Sequence, residues 1–406
     1  MTSQDARVAA AVRAAYDGSP LVARGLDGAG ASPDAVRGVA DLALLPFMTK
    51  EDIREAPVAD WALCRPDAVR VHCSSGTTGR RTVCGYTAHD LDDWAAMMAR
   101  CYEFAGVGAG DRVQLGVGQG LSAAGEGFQL GADRIGALTV PVGPGDTERQ
   151  VAMLREFGST VLCATSSFAL LLAEREAAAP SPGLALRIGM VGSERMAPQV
   201  RERVQRLLGV ELFDVYGATE LWGPGAGVEC ARHEGIHVWS DHYVVEVVAP
   251  DTLQPVGPGE VGELVITTLA KQASPLVRFR TRDLACVLQE PCPCGSPYPR
   301  ISPLLGRTDD LVKVRGVGFH PVQVEQALSD VDPAAQEYQV HLHPGAHGGV
   351  DVLVTVEARR DPALVDRFAE QLRLTTGLRM RVEPVTVGTL PRSAAKTRRL
   401  FDHRPS

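Results

Sequence analysis

Apolar positions change their spacing several times along this chain, and each change predicts a different kind of element. Residues 1–65 break into short apolar clusters separated by Gly, Pro and Ser, the pattern of short helices and turns. From Val69 to Tyr86 two β-rich runs, VRVHC and TVCGYT, flank a loop of Ser, Thr and Gly. A helix is predicted next. Thr87 and Asp90 form a capping-box pair, and LDDWAAMMARCYEFA carries apolar residues at helical spacing.

Between Arg112 and Leu212 the text alternates. VQLGV, LTVPV, TVLCA, RIGMVG and VELFDVYG read as strands, with VAMLREFG, SFALLLAEREAAA and MAPQVRERVQRLLG as helices among them. Such alternation predicts an α/β unit with a mainly parallel, helix-covered sheet. Residues 230–305 turn β-rich with Pro/Gly turns, which predicts a β subdomain. A further α+β unit runs from 306 to 406, about the size of a small domain.

A chain of 406 residues has room for two or three such units. Its net charge of −8 gives no global positive field for nucleic acid or anionic lipid, so an anionic substrate would need positive groups gathered locally. The N-terminus lacks the apolar core of a signal peptide, and no apolar run has membrane-spanning length. These features point to a cytoplasmic protein that neither binds nucleic acid nor enters a membrane. Its nine cysteines are then expected to be reduced. Cys64, Cys73, Cys84, Cys101, Cys163 and Cys286 sit singly in apolar text and read as small hydrophobes.

The loop Ser74, Ser75, Gly76, Thr77, Thr78, Gly79, Arg80, Arg81, Thr82 combines two glycines, several hydroxyls and backbone N–H groups able to wrap a phosphate chain. It is not a Walker A loop, since no G-K-[ST] is present and a strand follows. On composition alone, a polar hairpin turn is an equal reading. The segment RVHCSSGTTGRRTVCGYT resembles the phosphate loop of acyl-adenylating, AMP-forming enzymes, most nearly the phenylacetate–coenzyme A ligase branch. Arg80 stands where that branch usually has Lys, and Arg81 where it usually has Pro. The charge at 80 is kept on a bulkier planar group.

Other motifs follow in the family's order. VGSERM resembles its adenine-side loop, with Gly192, Ser193 and Glu194 in place. VYGATELWGPG resembles its aromatic-Gly-x-[ST]-Glu motif; the resemblance implies that Tyr216 and Gly217 line the adenine, Thr219 touches the α-phosphate and Glu220 holds Mg²⁺. PLVRFRTRDLA implies that Asp283 binds the ribose hydroxyls. GRTDDLVKVRGVGFHPVQVE implies that Arg307 reaches ribose or phosphate and that Asp309 is a hinge. LPRSAAKTRRLFD implies a catalytic Lys396. Taken singly, Tyr216 and Glu220 would read as a strand-end turn and Lys396 as a surface lysine. Even LALLPFMTKEDIRE is similar to the family's opening region. The resemblance therefore implies a large domain over 1–305 and a small mobile one over 306–406.

The chemistry so implied has two halves. A carboxylate attacks the α-phosphorus of Mg·ATP to give acyl-AMP and pyrophosphate, with Arg80, Lys396 and Mg²⁺ neutralising charge. The C-terminal domain then turns about Asp309, and a thiolate displaces AMP. The first-choice thiol is coenzyme A. A carrier-protein arm, or nitrite activation for diazotisation of an aryl amine, are alternatives, and a non-catalytic nucleotide-binding protein is a reading of another class. A homodimer is left open. The stretch GVGQGLSAAGEGFQLGAD aligns with the acid pocket, in places more polar and in places roomier than the family's. Gln119, Ser122, Glu126 and Gln129 are its candidate lining, and they suggest an aryl or arylacrylic acid with an amino or hydroxyl group held by Glu126 or Gln129. A Glu126 facing solvent on a helix is the other reading. Finally, Cys230, His237, Cys292 and Cys294 could supply four ligands to a structural Zn²⁺, or be buried thiols beside a surface His.

Overall fold

In a computed structural model of the chain the residues described are 3–74, 80–180, 183–314, 317–335, 337–345, 350–391 and 399–404. They divide into two compact units: Met1–Thr165, Ser181–Ser193 and Val210–Leu304 form one, and Ser166–Pro180, Glu194–Gly209 and Leu305–Ser406 the other. The second unit thus takes two stretches that lie early in the sequence.

The first unit is built on a nine-stranded sheet. Its strand order is Val287–Leu288, Arg300–Ile301, Ile236–Val238, Gly223–Glu229, Glu211–Ala218, Ile188–Gly192, Val161–Thr165, Arg112–Leu115 and Leu138–Val140. The last five run parallel, and the other four extend the sheet antiparallel. Parallel strands buried on both faces need continuous apolar text, and IGMVG is buried at every position. The expected strands and helices of 112–212 are all present.

The helix Ala88–Phe104 begins with the predicted Thr87/Asp90 capping box. It buries Trp94, Met97, Met98, Cys101 and Tyr102, one stripe at helical spacing. A second helix, Ala123–Arg134, lies against it. A Cβ on Gly127 would come within 2.6 Å of the Trp94 ring and one on Gly131 within 2.5 Å of Met98. These glycines let two helix backbones approach closely.

The β-rich text of 230–305 does not form one sheet. Tyr243–Val248, Gly262–Thr268 and Phe279–Ala285 pair antiparallel with one another, while Ile236–Val238, Val287–Leu288 and Arg300–Ile301 join the antiparallel edge of the large sheet. Short hairpin strands can extend an antiparallel edge without a crossover helix, which is why the linear pattern did not distinguish the two destinations.

In the second unit a four-stranded sheet has the order Arg381–Val385, Val350–Glu357, Tyr338–Pro344, Leu400–Asp402. Helices Pro321–Val331 and Pro362–Thr376 cover it, and Val324, Leu328, Phe368 and Leu372 share a core with Val340, Leu342, Val352, Val354 and Val356. Helices Ser166–Ala178 and Pro198–Leu208 belong to the same unit and are joined by an Arg203–Glu174 ion pair of 3.1 Å. Among the described residues no helix is long and apolar enough to cross a membrane.

Candidate active site

The phosphate-loop candidate hangs from an antiparallel hairpin of Ala68–Cys73 and Val83–Thr87. Ser74 closes it: its N–H donates to the Thr82 carbonyl at 2.9 Å, and its Oγ accepts from the Thr82 N–H at 3.0 Å. Ser75, Gly76, Thr77, Thr78 and Gly79 lie outside the described residues. Arg80 and Arg81 are exposed.

The hairpin's second strand delivers Tyr86 to the turn after the strand Glu211–Ala218. Its hydroxyl donates to the Trp222 carbonyl at 2.6 Å and lies 3.4 Å from that of Thr219. That turn carries Thr219 and Glu220. Glu220 is 1% exposed. Lys50 Nζ stands 2.9 Å from its Oε1, and the buried Lys271 donates to its backbone carbonyl at 2.9 Å. Burial pushes the Glu220 carboxyl up, but the Lys50 charge, the contact with it and further polar neighbours outweigh burial and hold it below the usual range. Lys271 is lowered by burial; its ammonium lies 5.1 Å from the Tyr86 ring centre and 5.0 Å from that of Trp222. Asp90 fixes the backbone beside it, accepting from the N–H groups of Gln272 and Ala273.

Two neighbouring parallel strands end together here, the usual place for ligands in such sheets. Gly192 closes one of them, and a Cβ there would fall 2.5 Å from the Val215 carbonyl. Ser193 then takes a left-handed φ of 70°. On the other strand Tyr216 donates from its hydroxyl to Asp283 Oδ2 at 2.9 Å, both side chains being buried. Gly217 lies so close to the Gly223 carbonyl that a Cβ would fall at 2.1 Å. Within the first unit the structure therefore joins the hairpin's second strand, through Tyr86, to the turn of Thr219 and Glu220, and joins Tyr216 to Asp283.

The other expected residues have local partners. In the second unit the Glu194 carboxylate accepts from the Ser167 N–H at 2.9 Å, capping the helix Ser166–Ala178. Arg307 and Asp309 pair with each other in bidentate fashion, at 2.8 and 3.0 Å. Lys396 lies outside the described residues. Gln119 is exposed, Ser122 caps the helix Ala123–Arg134, and Gln129 is half-buried. Glu126 pairs with Arg70 of the hairpin, so its charge has a protein partner on the next element.

Sequence reasoning missed Lys50, Lys271 and His72. Lys50 lay within a quoted segment, as the residue after the helix cap Thr49. His72 is buried, edge-on to Tyr86 and Trp94, with Nδ1 at 3.2 Å from the Gly120 carbonyl and, among the described residues, no partner for Nε2. Burial lowers its pKa.

Away from these residues, Cys230, His237, Cys292 and Cys294 form one cluster, their ligand atoms within 4.8 Å of one another. Cys230 and Cys292 sulfurs are 3.6 Å apart, and Cys294 Sγ is 3.4 Å from His237 Nε2. A tetrahedron with Zn–S of about 2.3 Å and Zn–N of about 2.05 Å needs about 3.8 and 3.6 Å for those edges. His237 Nδ1 lies 3.1 Å from the Tyr298 carbonyl; an Nδ1–H donated there would leave Nε2 as the ligand nitrogen toward the sulfurs. The residues fit zinc.

The fold, a mainly parallel sheet with an antiparallel extension and a separate α+β unit, is that of adenylate-forming enzymes. The chain matches the AMP-binding enzyme family over residues 42–270 and the AMP-binding enzyme C-terminal domain over 316–404. It belongs to that family, in its phenylacetate–coenzyme A ligase-like branch, and is an AMP-forming acid–thiol ligase. It is 38% identical to the phenylacetate-coenzyme A ligase of Thermus thermophilus over 99% of this chain and 96% of that one. Against the enzyme of the same name from Escherichia coli the identity is 35%, over 99% and 94%. A solved 2-hydroxyisobutyryl-CoA ligase in complex with 2-HIB-AMP superposes with a TM-score of 0.88 at 25% identity, covering 98% of this chain and 88% of that one.

Proposed function

We propose that the enzyme joins a small aromatic carboxylic acid to coenzyme A. ATP and acid give acyl-AMP and pyrophosphate; the thiolate of coenzyme A then attacks the acyl carbon and AMP leaves. The observation that supports the reading is the grouping of Glu220, Thr219, Tyr216 and Asp283 after one strand end, with Tyr86 of the hairpin's second strand hydrogen-bonded to the same turn. Ser74 and residues 75–79 would hold phosphates, with Arg80 as a nearby positive group. Gly192, Ser193, Tyr216 and Gly217 would flank adenine. A carboxylate offers about four lone-pair sites, a donor-accepting chemistry that suits Asp283 to ribose hydroxyls. Glu220 would take Mg²⁺, a hard ion suited to carboxylate oxygen. The ion would compete there with the Lys50 ammonium. Arg307 and Asp309 would serve the C-terminal unit's part in the cycle. The aromatic class is supported by the curated relatives' substrate.

The test is pyrophosphate release over a panel of aromatic acids, with and without coenzyme A, followed by mass spectrometry. The expected product is an aryl or arylacetyl thioester. Acyl-AMP that coenzyme A does not consume, or activity confined to nitrite, would overturn it. Tyr216→Phe, which removes one neutral-to-charged hydrogen bond, is expected to raise the KM for ATP about 3- to 10-fold.

For the cluster of Cys230, His237, Cys292 and Cys294 we propose a structural zinc that ties the turn carrying Cys292 and Cys294 to the edge of the large sheet. Purified protein is expected to hold about one zinc per chain in this closed four-ligand site. Cys292→Ser is expected to lose the metal and to lower the thermal midpoint, by roughly 2–4 °C per kcal/mol of stability removed. Zinc well below one per chain by metal analysis would remove the proposal.

A further inference from the structure

In the second unit three histidines meet on one face of the small sheet. His341 and His343 are two apart on the strand Tyr338–Pro344, so both point away from the core that Val340 and Leu342 enter. The strand Leu400–Asp402 runs parallel beside it, with Phe401 in register with His341. His403 is next in line, and its N–H donates to the Leu342 carbonyl at 2.9 Å. The three imidazoles lie nearly parallel: His343 and His403 have centroids 4.6 Å apart with planes 6° from parallel, and His341 and His403 5.4 Å apart at 10°. Phe401 stacks on His341 at 5.0 Å.

The nitrogen positions matter more than the stacking. His341 Nδ1 and His403 Nε2 are 3.1 Å apart. Two imidazole nitrogens on one metal at about 2.0–2.1 Å stand about 2.9–3.4 Å apart for coordination angles between square and tetrahedral. The observed separation lies inside that interval. One ligand nitrogen from each of the three rings can be chosen so that all lie within 4.8 Å of one another. Side-chain rotation of His343, which is half-exposed, would close the remaining gap. Asp351 is the direct cross-strand partner of His343 on the strand Val350–Glu357, so it stands on the same face.

We propose that His341, His343 and His403 form a second metal site, for a divalent transition cation of the zinc, nickel and copper group. Neutral imidazole suits those ions, whereas Ca²⁺ and Mg²⁺ want oxygen. The site is open to solvent, unlike the thiolate cluster, and so is loaded reversibly. Its consequence is mechanical. The edge strand Leu400–Asp402 directly follows residues 392–398, which include Lys396. A metal shared by His341, His343 and His403 clasps that strand to the centre of the sheet.

The test uses the full chain, first saturated with one equivalent of zinc and then titrated calorimetrically with Ni²⁺. One further equivalent is expected to bind at micromolar concentration or below and to raise the thermal midpoint. The double variant His343→Ala, His403→Ala is expected to weaken that event at least tenfold, with an unchanged midpoint and unchanged Mg²⁺-dependent pyrophosphate release in the absence of Ni²⁺. Loading with Co²⁺ separates the sites: thiolate-to-cobalt charge-transfer bands report the cysteine cluster, and their absence with d–d bands present reports the histidines. Equal Ni²⁺ binding by the variant, or no second equivalent in the parent protein, would overturn the proposal. Neither readout depends on which acid the enzyme activates.

Discussion

Replacing Glu220 by Gln is expected to lower acid-dependent pyrophosphate release about 10²–10³-fold, the usual cost of removing one preorganised electrostatic group from a site where charge develops. The carboxylate would hold the magnesium that neutralises the triphosphate, and a neutral amide cannot replace it. Raising Mg²⁺ should recover little of the loss. The same substitution strips the charge partner from Lys50, whose ammonium stands 2.9 Å from Oε1. Leaving one member of a buried pair alone costs about 3–5 kcal/mol when both are fully desolvated. Lys50 is a quarter exposed, so the cost here sits below that range. The double variant Lys50→Met, Glu220→Gln separates the two effects. It should regain most of the lost thermal stability and none of the lost rate. If Glu220→Gln keeps full activity, the magnesium assignment fails, whatever happens to stability.

The ion pair also carries a pH signature. Glu220 is held below the usual carboxylate range, so its contribution to stability is complete above the unfolded glutamate value of about 4.3. It is lost as pH falls through the lower folded value. Glu220→Gln should therefore flatten that part of the acid limb of the stability–pH curve. An identical acid limb in parent and variant would mean that Lys50 and Glu220 contribute nothing measurable as a pair.

How much of this was legible in the sequence depends on how local each signal is. The capping box of Thr87 and Asp90, the parallel strands from Arg112 to Val215 and the hairpin around SSGTTG are set by residues near one another, and the linear text carries them. The buried cation Lys271 was illegible because its partners are the rings of Tyr86 and Trp222 and the carbonyl of Glu220, all brought in by tertiary packing. Lys50 was hidden for the same reason, since nothing local distinguishes it from the solvated lysine usual after a helix cap. The close seam between two helices was illegible too: a Cβ on Gly127 or Gly131 would meet Trp94 or Met98, an approach that only tertiary packing sets. The Cys/His set Cys230, His237, Cys292 and Cys294 was named together from the sequence and is gathered in one cluster, although only the C-x-C pair is local and the sheet order brings Cys230 and His237 beside it.

Lys396→Ala is expected to give a comparably large effect with a different signature. By the sequence resemblance, this lysine serves the first half-reaction, where charge builds between carboxylate and α-phosphate. Both flanks of its segment are pinned to the small sheet. The Leu390 N–H donates to Glu357 Oε1 at 2.7 Å, and Arg399 donates to Glu337 at 2.9 Å while its guanidinium lies 4.6 Å from the Tyr338 ring centre. Truncation should reduce acyl-AMP formation about 10²–10³-fold, the scale for one preorganised charge. Thioester formation from supplied acyl-AMP and coenzyme A should change by less than about threefold, because in that step the phosphate leaves and no new charge forms between carboxylate and ATP. Lys396→Arg restores charge but not geometry and should recover only part of the rate. Measuring both half-reactions on each variant decides the matter. An equal loss in both would make Lys396 a general stabiliser of the fold, and no loss in the first would remove it from the reaction altogether.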